Sequence, residues 1–297
     1  MTERIRIGII GGSGLDEMEG LTNVSTLSLD TPFGHPSDEY VLGTLEGVRV
    51  AFLPRHGRGH RFTPSEINYR ANIYGFKRMG VSHIISLTAV GSLRGDIQPL
   101  HVVIPDQFYD RTHGRKSTFF GEGLAAHIAF AQPICPELAS LLHDTAVANG
   151  MVTHKGGTLV CIEGPAFSTL AESNLYRRWG MDIIGMTSLQ EAKLSREAEI
   201  CYAALAQVTD YDCWREDESD VTVETVLRHL DENTARAKKV LQDIVPKIPQ
   251  ERNCSCATAL EKAFMTNEHA IAGDTREKLD ILVNKYLPPS LVRGKST

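Results

Sequence analysis

The chain has 297 residues, of which 42% are hydrophobic and 23% are charged, and its net charge is −6. These values are typical of a globular protein with one large α/β domain or two small ones. An acidic chain without a Lys/Arg block disfavours nucleic-acid binding, and no apolar run approaches the roughly 18 residues of a membrane helix. The first residues lack the pattern of a signal peptide, so we expect a cytoplasmic protein with neither nucleic acid nor membrane as a partner.

Strand-like and helix-like segments alternate as far as residue 245, which predicts an α/β sheet with crossover helices. Seven strands are predicted, at Ile5–Ile10, Val48–Leu53, His83–Thr88, Val102–Ile104, Thr158–Ile162, Asp182–Met186 and Cys201–Thr209. Capping boxes at Thr63–Glu66 and Ser188–Glu191 predict helices that end near Met79 and before Cys201. An apolar stripe over residues 222–244 predicts a third helix.

The C-terminal part of the chain differs from the rest, because prolines interrupt the helical pattern after residue 245. We interpret residues 1–250 as one domain and residues 251–297 as a C-terminal helical extension and tail, with two short helices within 257–287. The Cys254-Ser-Cys256 pair has no Cys or His at zinc-finger spacing, so we predict no metal site there. Two reduced thiols are favoured over a redox pair or a disulfide.

The loop after the first predicted strand reads Gly11-Gly12-Ser13-Gly14, half of a dinucleotide-binding fingerprint, with Asp30 in the place of a ribose-binding acid. Glu17 occupies the third glycine position and would face the pyrophosphate, which argues against that function. Glycines and a serine at the end of a strand can still direct N–H groups and a hydroxyl at an anion. The loop therefore predicts a phosphate site, with a ligand-free tight turn as the alternative.

Polar residues follow the other predicted strands too. Arg55 and His56 follow the second strand, Thr88 and Ala89 stand at the end of the third, and Thr187 precedes a predicted helix. Taken alone, each of these segments could equally be a solvated loop or an ordinary helix cap. Since α/β sheets bind ligands at the carboxyl ends of their strands, their recurrence predicts a shared anion site.

Two carboxylates, Asp210 and Asp212, end the apolar run that begins at Cys201. Partial burial and like charge would raise the pKa of at least one, as a general acid near neutral pH requires; a capping or salt-bridge pair is the alternative. The Gly164-Pro165-Ala166-Phe167 turn supplies an aromatic ring that could pack on a base. Together with an anion site, these features predict phosphorolysis of a glycoside with a nitrogenous leaving group.

Several segments resemble, in order, those of the 5′-methylthioadenosine phosphorylases, which belong to the trimer/hexamer branch of the purine nucleoside phosphorylases. The segments are GIIGGSGL, TPFGHPSD, PRHGRGH, PSEINYRANI, TAVGSL, IEGPAFSTLAES, GMTSLQEAKL and TDYDCW. The resemblance spans about residues 4–245. It implies a mixed α/β sheet flanked by helices, in a homotrimer or homohexamer with its active site at the subunit interface.

The resemblance also assigns roles to individual residues. It implies a phosphate site at Ser13, Arg55, His56, Thr88, Ala89 and Thr187. It implies contacts with the nucleoside from Phe167, Ser168, Met186, Asp210, Asp212, Val223, Val226, Leu227 and His127. Within that set, Asp210 would act at purine N7 and Asp212 at the 6-amino group. The valine–leucine face would line a methylthio pocket, and His127 would come from a neighbouring subunit.

The function implied is phosphorolysis of S-methyl-5′-thioadenosine, with inorganic phosphate as co-substrate and no metal or organic cofactor. Related 6-oxopurine enzymes have Asn where Asp210 stands and Glu where Ser168 stands, which favours a 6-aminopurine here. The alternatives are a broader purine nucleoside phosphorylase, a methylthioinosine phosphorylase, a dinucleotide-binding oxidoreductase or sensor, and a non-catalytic purine-binding protein. In longer microbial members a pair like Cys254–Cys256 can be oxidised, and the resemblance makes Cys135–Cys201 a further candidate pair.

Overall fold

The computed structural model describes residues 5–12, 14–15, 17–215 and 223–288, with the backbone alone for 223–227 and 230. The strands of the described part are β1 Ile7–Gly11, β2 Thr22–Leu27, β3 Tyr40–Leu45, β4 Val48–Pro54, β5 His83–Ser92, β6 Val102–Ile104, β7 Gln107–Arg111, β8 Thr153–Lys155, β9 Thr158–Ile162, β10 Ile183–Gly185 and β11 Cys201–Asp210. The helices are α1 Tyr69–Met79, α2 Pro136–Ala148, α3 Leu170–Arg178, α4 Ser188–Glu197, α5 Val223–Ile244, α6 Gly273–Lys278 and α7 Asp280–Val283.

The strands form one mixed sheet with helices packed around it, as the resemblance implies. The main path runs β2-β3-β4-β1-β5-β10-β9-β7, and β5 also pairs with β11, which leads to β6 and β8. Neighbours β4, β1, β5 and β11 are parallel, whereas β10 runs antiparallel to β5. The parallel strands therefore bring their carboxyl ends to a common edge.

Strand β5 is longer than predicted and serves two partners. It continues past Thr88 to Ser92, pairing with β11 along its length and with β10 at Gly91 and Ser92. Thr88 and Ala89 thus lie within a strand rather than in a loop after it. Strand β10 is shorter than the predicted Asp182–Met186, and because it is antiparallel to β5, its end returns toward the middle of β5.

One of the two predicted capping boxes does not start a helix, and the other marks the start of a helix without capping it. At Thr63–Glu66, the Thr63 amide and hydroxyl both donate to the Glu66 carboxylate, but this pair closes a turn, and α1 begins later behind the Asn68 cap. At Ser188–Glu191, α4 does begin at Ser188, yet the Glu191 carboxylate turns away from the helix end toward the buried Arg55. A buried guanidinium needs an anionic partner more than a helix end needs a cap.

The sequence reasoning missed several elements: β2, β3, β7, β8, α2 and α3. Strand β2 is exposed on nearly every residue and so lacks apolar alternation. Helix α3 begins with a complete capping box between Thr169 and Glu172, within the segment IEGPAFSTLAES.

The C-terminal extension packs into the same apolar core as the sheet. Cys256, Leu260 and Leu282 are buried in the cluster that contains Ile7 and Ile9 of β1. The two short helices predicted within 257–287 are confirmed as α6 and α7, preceded by 3₁₀ turns at Ser255–Thr258 and Glu268–Ala270. Within the described parts of the chain, no helix is long and apolar enough to cross a membrane.

Candidate active site

The carboxyl ends of the central parallel strands meet as the sequence predicts. Gly11 of β1 pairs with Pro54 of β4, and the Arg55 amide donates to the Gly11 carbonyl oxygen at 2.9 Å. On the other side of β5, Thr88 pairs with Ala206 of β11. The segments that follow β1, β4 and β11 therefore surround the second half of β5.

Arg55 is buried and held by a buried carboxylate. Its Nε donates to Glu191 Oε1 at 2.5 Å, and its Nη2 donates to Glu191 Oε2 at 3.3 Å and to Ser86 Oγ at 2.6 Å. Nη1 donates to the Leu87 carbonyl oxygen at 3.0 Å. Because Glu191 occupies the Nε–Nη2 edge, a phosphate contact from this guanidinium would have to use Nη1.

His56 is partly buried on the loop after β4. Its Nδ1 lies 2.8 Å from the Phe62 carbonyl oxygen, and its ring stacks on His60 with centroids 4.1 Å apart. Burial and the neighbouring Arg55 charge lower the pKa of His56 to about 4, so the ring is neutral near pH 7. A neutral ring that donates through Nδ1 keeps Nε2 as an acceptor.

Hydroxyl groups and a helix N-terminus adjoin the middle of β5. Thr187 is the N-cap of α4 and is buried, but its side chain does not cap the helix. Gly185, two residues earlier, packs against Val90 and the Ala89 carbonyl oxygen, which sets Thr187 near the Thr88–Ala89 segment. The amides at the start of α4 and two threonine hydroxyls can together bind an anion.

Asp210 and Asp212 lie where β11 ends. Asp210 Oδ2 accepts from Thr209 Oγ1 at 2.7 Å and Oδ1 accepts from the Asp212 amide at 2.8 Å. Burial raises the pKa of Asp210, and it raises the pKa of Asp212 to about 6. A Cβ on Gly91 would lie 2.8 Å from Asp210 Oδ1, so the close approach of this carboxylate to β5 requires glycine there.

The Gly164-Pro165-Ala166-Phe167 turn lies near the two carboxylates. The Ser168 hydroxyl lies beside the Asp212 carboxylate, and the Ser168 carbonyl oxygen accepts from Cys213 Sγ at 3.3 Å. Gly164 has a φ of 65°, and a Cβ there would lie 2.5 Å from Met186 Sδ. Phe167 is 45% exposed beside these groups. The structure thus brings the turn, Met186 and the carboxylates together.

The sequence reasoning missed the residue that ties these segments together, Arg115. Its Nη1 donates to the Met186 carbonyl oxygen at 2.5 Å, and its Nη2 donates to the carbonyl oxygen of Glu163. Its Nε donates to Glu163 Oε1 at 3.2 Å. No local pattern marks Arg115 in the sequence, because its hydrogen-bond partners are 46 or more residues away.

The structure does not show five of the predicted site residues next to the other site residues. Ser13 lies outside the described residues, and the side chains of Val223, Val226 and Leu227 are likewise not described, although α5 itself begins at Val223 as predicted. His127 is exposed on a segment whose amide donates to the Ala263 carbonyl oxygen of the C-terminal extension. The prediction for His127 is that it enters the nucleoside site of a neighbouring subunit, which a single chain does not test.

Comparison with known proteins gives a consistent result. The profile of the phosphorylase superfamily matches residues 6–246. The S-methyl-5′-thioadenosine phosphorylase of Geobacter sulfurreducens is 56% identical over 282 residues, which cover 95% of this chain and 99% of that protein. The enzyme of the same name from Synechocystis is 56% identical over 289 residues, covering 96% of this chain and 88% of that protein.

Solved structures agree with the sequences. A methylthioadenosine phosphorylase from an Antarctic soil metagenomic library superposes with a TM-score of 0.90 at 48% identity, covering 95% of this chain and all of that one. The methylthioadenosine phosphorylase of Schistosoma mansoni in complex with adenine gives a TM-score of 0.82 at 36% identity, covering 87% of this chain and 96% of that one. The chain therefore belongs to the phosphorylase superfamily and, within it, to the S-methyl-5′-thioadenosine phosphorylase family.

Proposed function

We propose that this chain catalyses the phosphorolysis of S-methyl-5′-thioadenosine to adenine and 5-methylthioribose 1-phosphate. The observation that carries this proposal is the buried Asp210–Asp212 pair at the end of β11, close to the Thr88–Ala89 and Met186–Thr187 segments. A pair of carboxyl groups whose pKa values are raised by burial, next to groups suited to an anion, matches the two halves of this reaction. The family supplies the substrate class.

In the reaction, a phosphate oxygen forms a bond to the anomeric carbon while the bond from that carbon to purine N9 breaks. The electron pair of the broken bond moves into the purine, and a proton at N7 neutralises it. Asp210 is placed to share or donate that proton, because burial raises the pKa of its carboxyl group. Asp212, as a carboxylate, accepts from the 6-amino group.

The phosphate would bind between His56, Thr88, Ala89, Thr187 and the Nη1 edge of Arg55, and we expect Ser13 to contribute its hydroxyl. The neutral His56 has its Nδ1 turned to the Phe62 carbonyl oxygen, so its Nε2 suits the protonated oxygen of monohydrogen phosphate. The α4 amides suit the other oxygens. Inorganic phosphate is a co-substrate in this scheme, and the scheme uses no catalytic metal or organic cofactor.

Met186 and Phe167 would enclose the sugar end of the substrate, and we expect Val223, Val226 and Leu227 to provide the methylthio pocket. We infer that His127 of a neighbouring subunit completes this end of the site, in a homotrimer or homohexamer. The exposure of Phe167 and of His127 in the single chain supports this arrangement. We further propose a cytoplasmic location, where thiols or metal thiolates are more usual than disulfides.

The test is a side-by-side comparison of methylthioadenosine, adenosine, inosine and methylthioinosine at saturating phosphate. We expect kcat/KM to be highest for methylthioadenosine, since burying an apolar methylthio group is worth about 1–3 kcal/mol, or roughly 10–200-fold. A higher kcat/KM for inosine or methylthioinosine would instead identify a 6-oxopurine phosphorylase and overturn the proposal. Equal values for methylthioadenosine and adenosine would indicate a broad nucleoside phosphorylase.

A further inference from the structure

Four of the six cysteines converge at one place far from the candidate active site. The Sγ atoms of Cys135, Cys201, Cys254 and Cys256 all lie within 4.8 Å of one another. The Sγ atoms of Cys201 and Cys254 are 3.3 Å apart. Cys135, Cys201 and Cys256 are buried and Cys254 is partly buried, and all four are free thiols.

Three separate segments build this cluster. Cys135 is the N-cap of α2, Cys201 is the first residue of β11, and the other two flank the start of the 3₁₀ turn at Ser255–Thr258. The Cys135 amide donates to the Tyr202 carbonyl oxygen at 2.9 Å, which fixes the first two segments relative to each other. The Cys254–Cys256 pair lacks partners at local spacing, and the fold supplies them from elsewhere in the chain.

The separations suit a metal ion better than a set of covalent bonds. Sulfur atoms in a disulfide lie about 2.0 Å apart. Four thiolates at about 2.3 Å from a tetrahedral zinc ion lie about 3.8 Å from one another, which is within the spread of this cluster. Four sulfur ligands in tetrahedral reach favour zinc among the divalent ions.

The surroundings also favour the negative charge that four thiolates would bring. Cys135 lies at the positive N-terminal end of α2, a helix of 13 residues. Four converging thiols at a junction of three segments therefore have both the geometry and the electrostatic support of a metal site.

We propose that Cys135, Cys201, Cys254 and Cys256 bind one zinc ion in a closed structural site. Binding displaces the thiol protons and changes no oxidation state. All four coordination positions are taken by sulfur, so no water is activated there. Cys201 and Asp210 are the first and last residues of β11, about 30 Å apart at roughly 3.3 Å per residue, which separates the metal from the reaction.

The zinc ion would fasten the C-terminal extension to the sheet. The extension already contacts the turn before β11, where Glu199 accepts from Lys285 at 2.9 Å and from Tyr286 at 2.7 Å. A metal bound to both Cys201 and the Cys254–Cys256 pair would connect these segments directly. This assignment replaces the prediction of no metal site that the local cysteine spacing suggested.

The test uses the full chain purified anaerobically without added thiols, in its wild-type form and as the Cys254→Ser/Cys256→Ser variant. Native mass spectrometry and elemental analysis should find one zinc ion per wild-type chain and almost none in the variant. X-ray absorption of the wild-type protein should show four sulfur ligands at about 2.3 Å. Cys161→Ser is the matched control, because Cys161 is buried in a separate apolar cluster, and it should retain the metal.

Alkylation after denaturation with a chelator distinguishes thiols from disulfides. It is done on the wild-type protein, so the result does not depend on whether a variant folds. All six cysteines should be alkylated. Alkylation of only two or four, with no zinc, would show disulfides at this cluster and overturn the proposal. Six alkylated cysteines without zinc, in a chain that also fails to bind added zinc, would overturn it too. Loss of phosphorolysis alone would bear on the proposed function and not on this site.

Discussion

Asp212 has a left-handed backbone conformation, with a φ of 52°, and is only 8% exposed. Its burial raises the pKa of the carboxyl group from 3.8 to about 6, which is a cost to the folded state whenever the group is ionised. On the scale of 1.36 kcal/mol for each pKa unit, the cost is about 2–3 kcal/mol. Such a position is explained by a task in binding the base, since a neutral side chain would be more stable there.

Asp212→Asn should therefore stabilise the fold while weakening catalysis. Between about pH 4 and 6 the folded state binds more protons than the unfolded state, so the wild-type stability falls as the pH rises, and above pH 6 the full cost remains. The variant avoids that cost, so its gain in Tm should be large at pH 8 and small near pH 4. Scanning calorimetry across this range measures the difference.

A matched control for that variant is Asp231→Asn, because Asp231 is exposed on α5. It should change Tm little at any pH. A loss of Tm in Asp212→Asn at pH 8 would contradict the account, since it would mean that the Asp212 carboxylate stabilises the fold. Asp212→Asn should also have a raised KM for methylthioadenosine, because an amide takes the place of the carboxylate that accepts from the 6-amino group.

At the scale of elements, α4 connects the two halves of the candidate site. Its N-terminus carries Thr187, and the Glu191 carboxylate one turn later compensates the charge of Arg55 at the end of β4. Removing one partner of a buried ion pair typically costs about 3–5 kcal/mol, because the other charge is left without compensation. The charge left over in this case is a cation beside the proposed phosphate site.

Glu191→Gln should consequently lower Tm in phosphate-free buffer, and added phosphate should raise the Tm of the variant more than that of the wild type. The bound anion would take over the compensation of Arg55. Glu197→Gln is the control on the same helix, because Glu197 accepts from Thr118 Oγ1 and the Phe119 amide, and burial raises its pKa to about 7. If phosphate raised the Tm of the wild type and of both variants equally, Arg55 would not be part of the phosphate site.

The secondary-structure elements also show which parts of the fold and of the candidate site could be predicted from the sequence. The seven predicted strands all exist because their apolar runs are buried, and the carboxylates of β11 could be found because two acids after such a run are unusual. The roles of Glu191 and Arg115 could not be found, since both depend on partners far along the chain. The antiparallel direction of β10 is likewise invisible in a three-residue strand.

At the scale of the whole molecule, the sheet separates two sites at opposite ends of β11. Asp210 and Asp212 end the strand at the candidate active site, and Cys201 begins it at the four-cysteine cluster. The cluster was not predicted, because the cysteines of the Cys254–Cys256 pair find their partners only in the folded chain. The strand between the two ends is buried as far as Thr209, which makes it a rigid support for the carboxylates that we propose to be catalytic.

The most direct test of the central claim measures adenine release from methylthioadenosine with and without phosphate, for the wild type and for Asp210→Asn. The wild type should release adenine only when phosphate is present, with one phosphate consumed for each adenine formed. The variant should lose about 10²–10⁴-fold in kcat/KM, the usual contribution of a positioned acid. Adenine release that is independent of phosphate, or full activity in Asp210→Asn, would contradict the account.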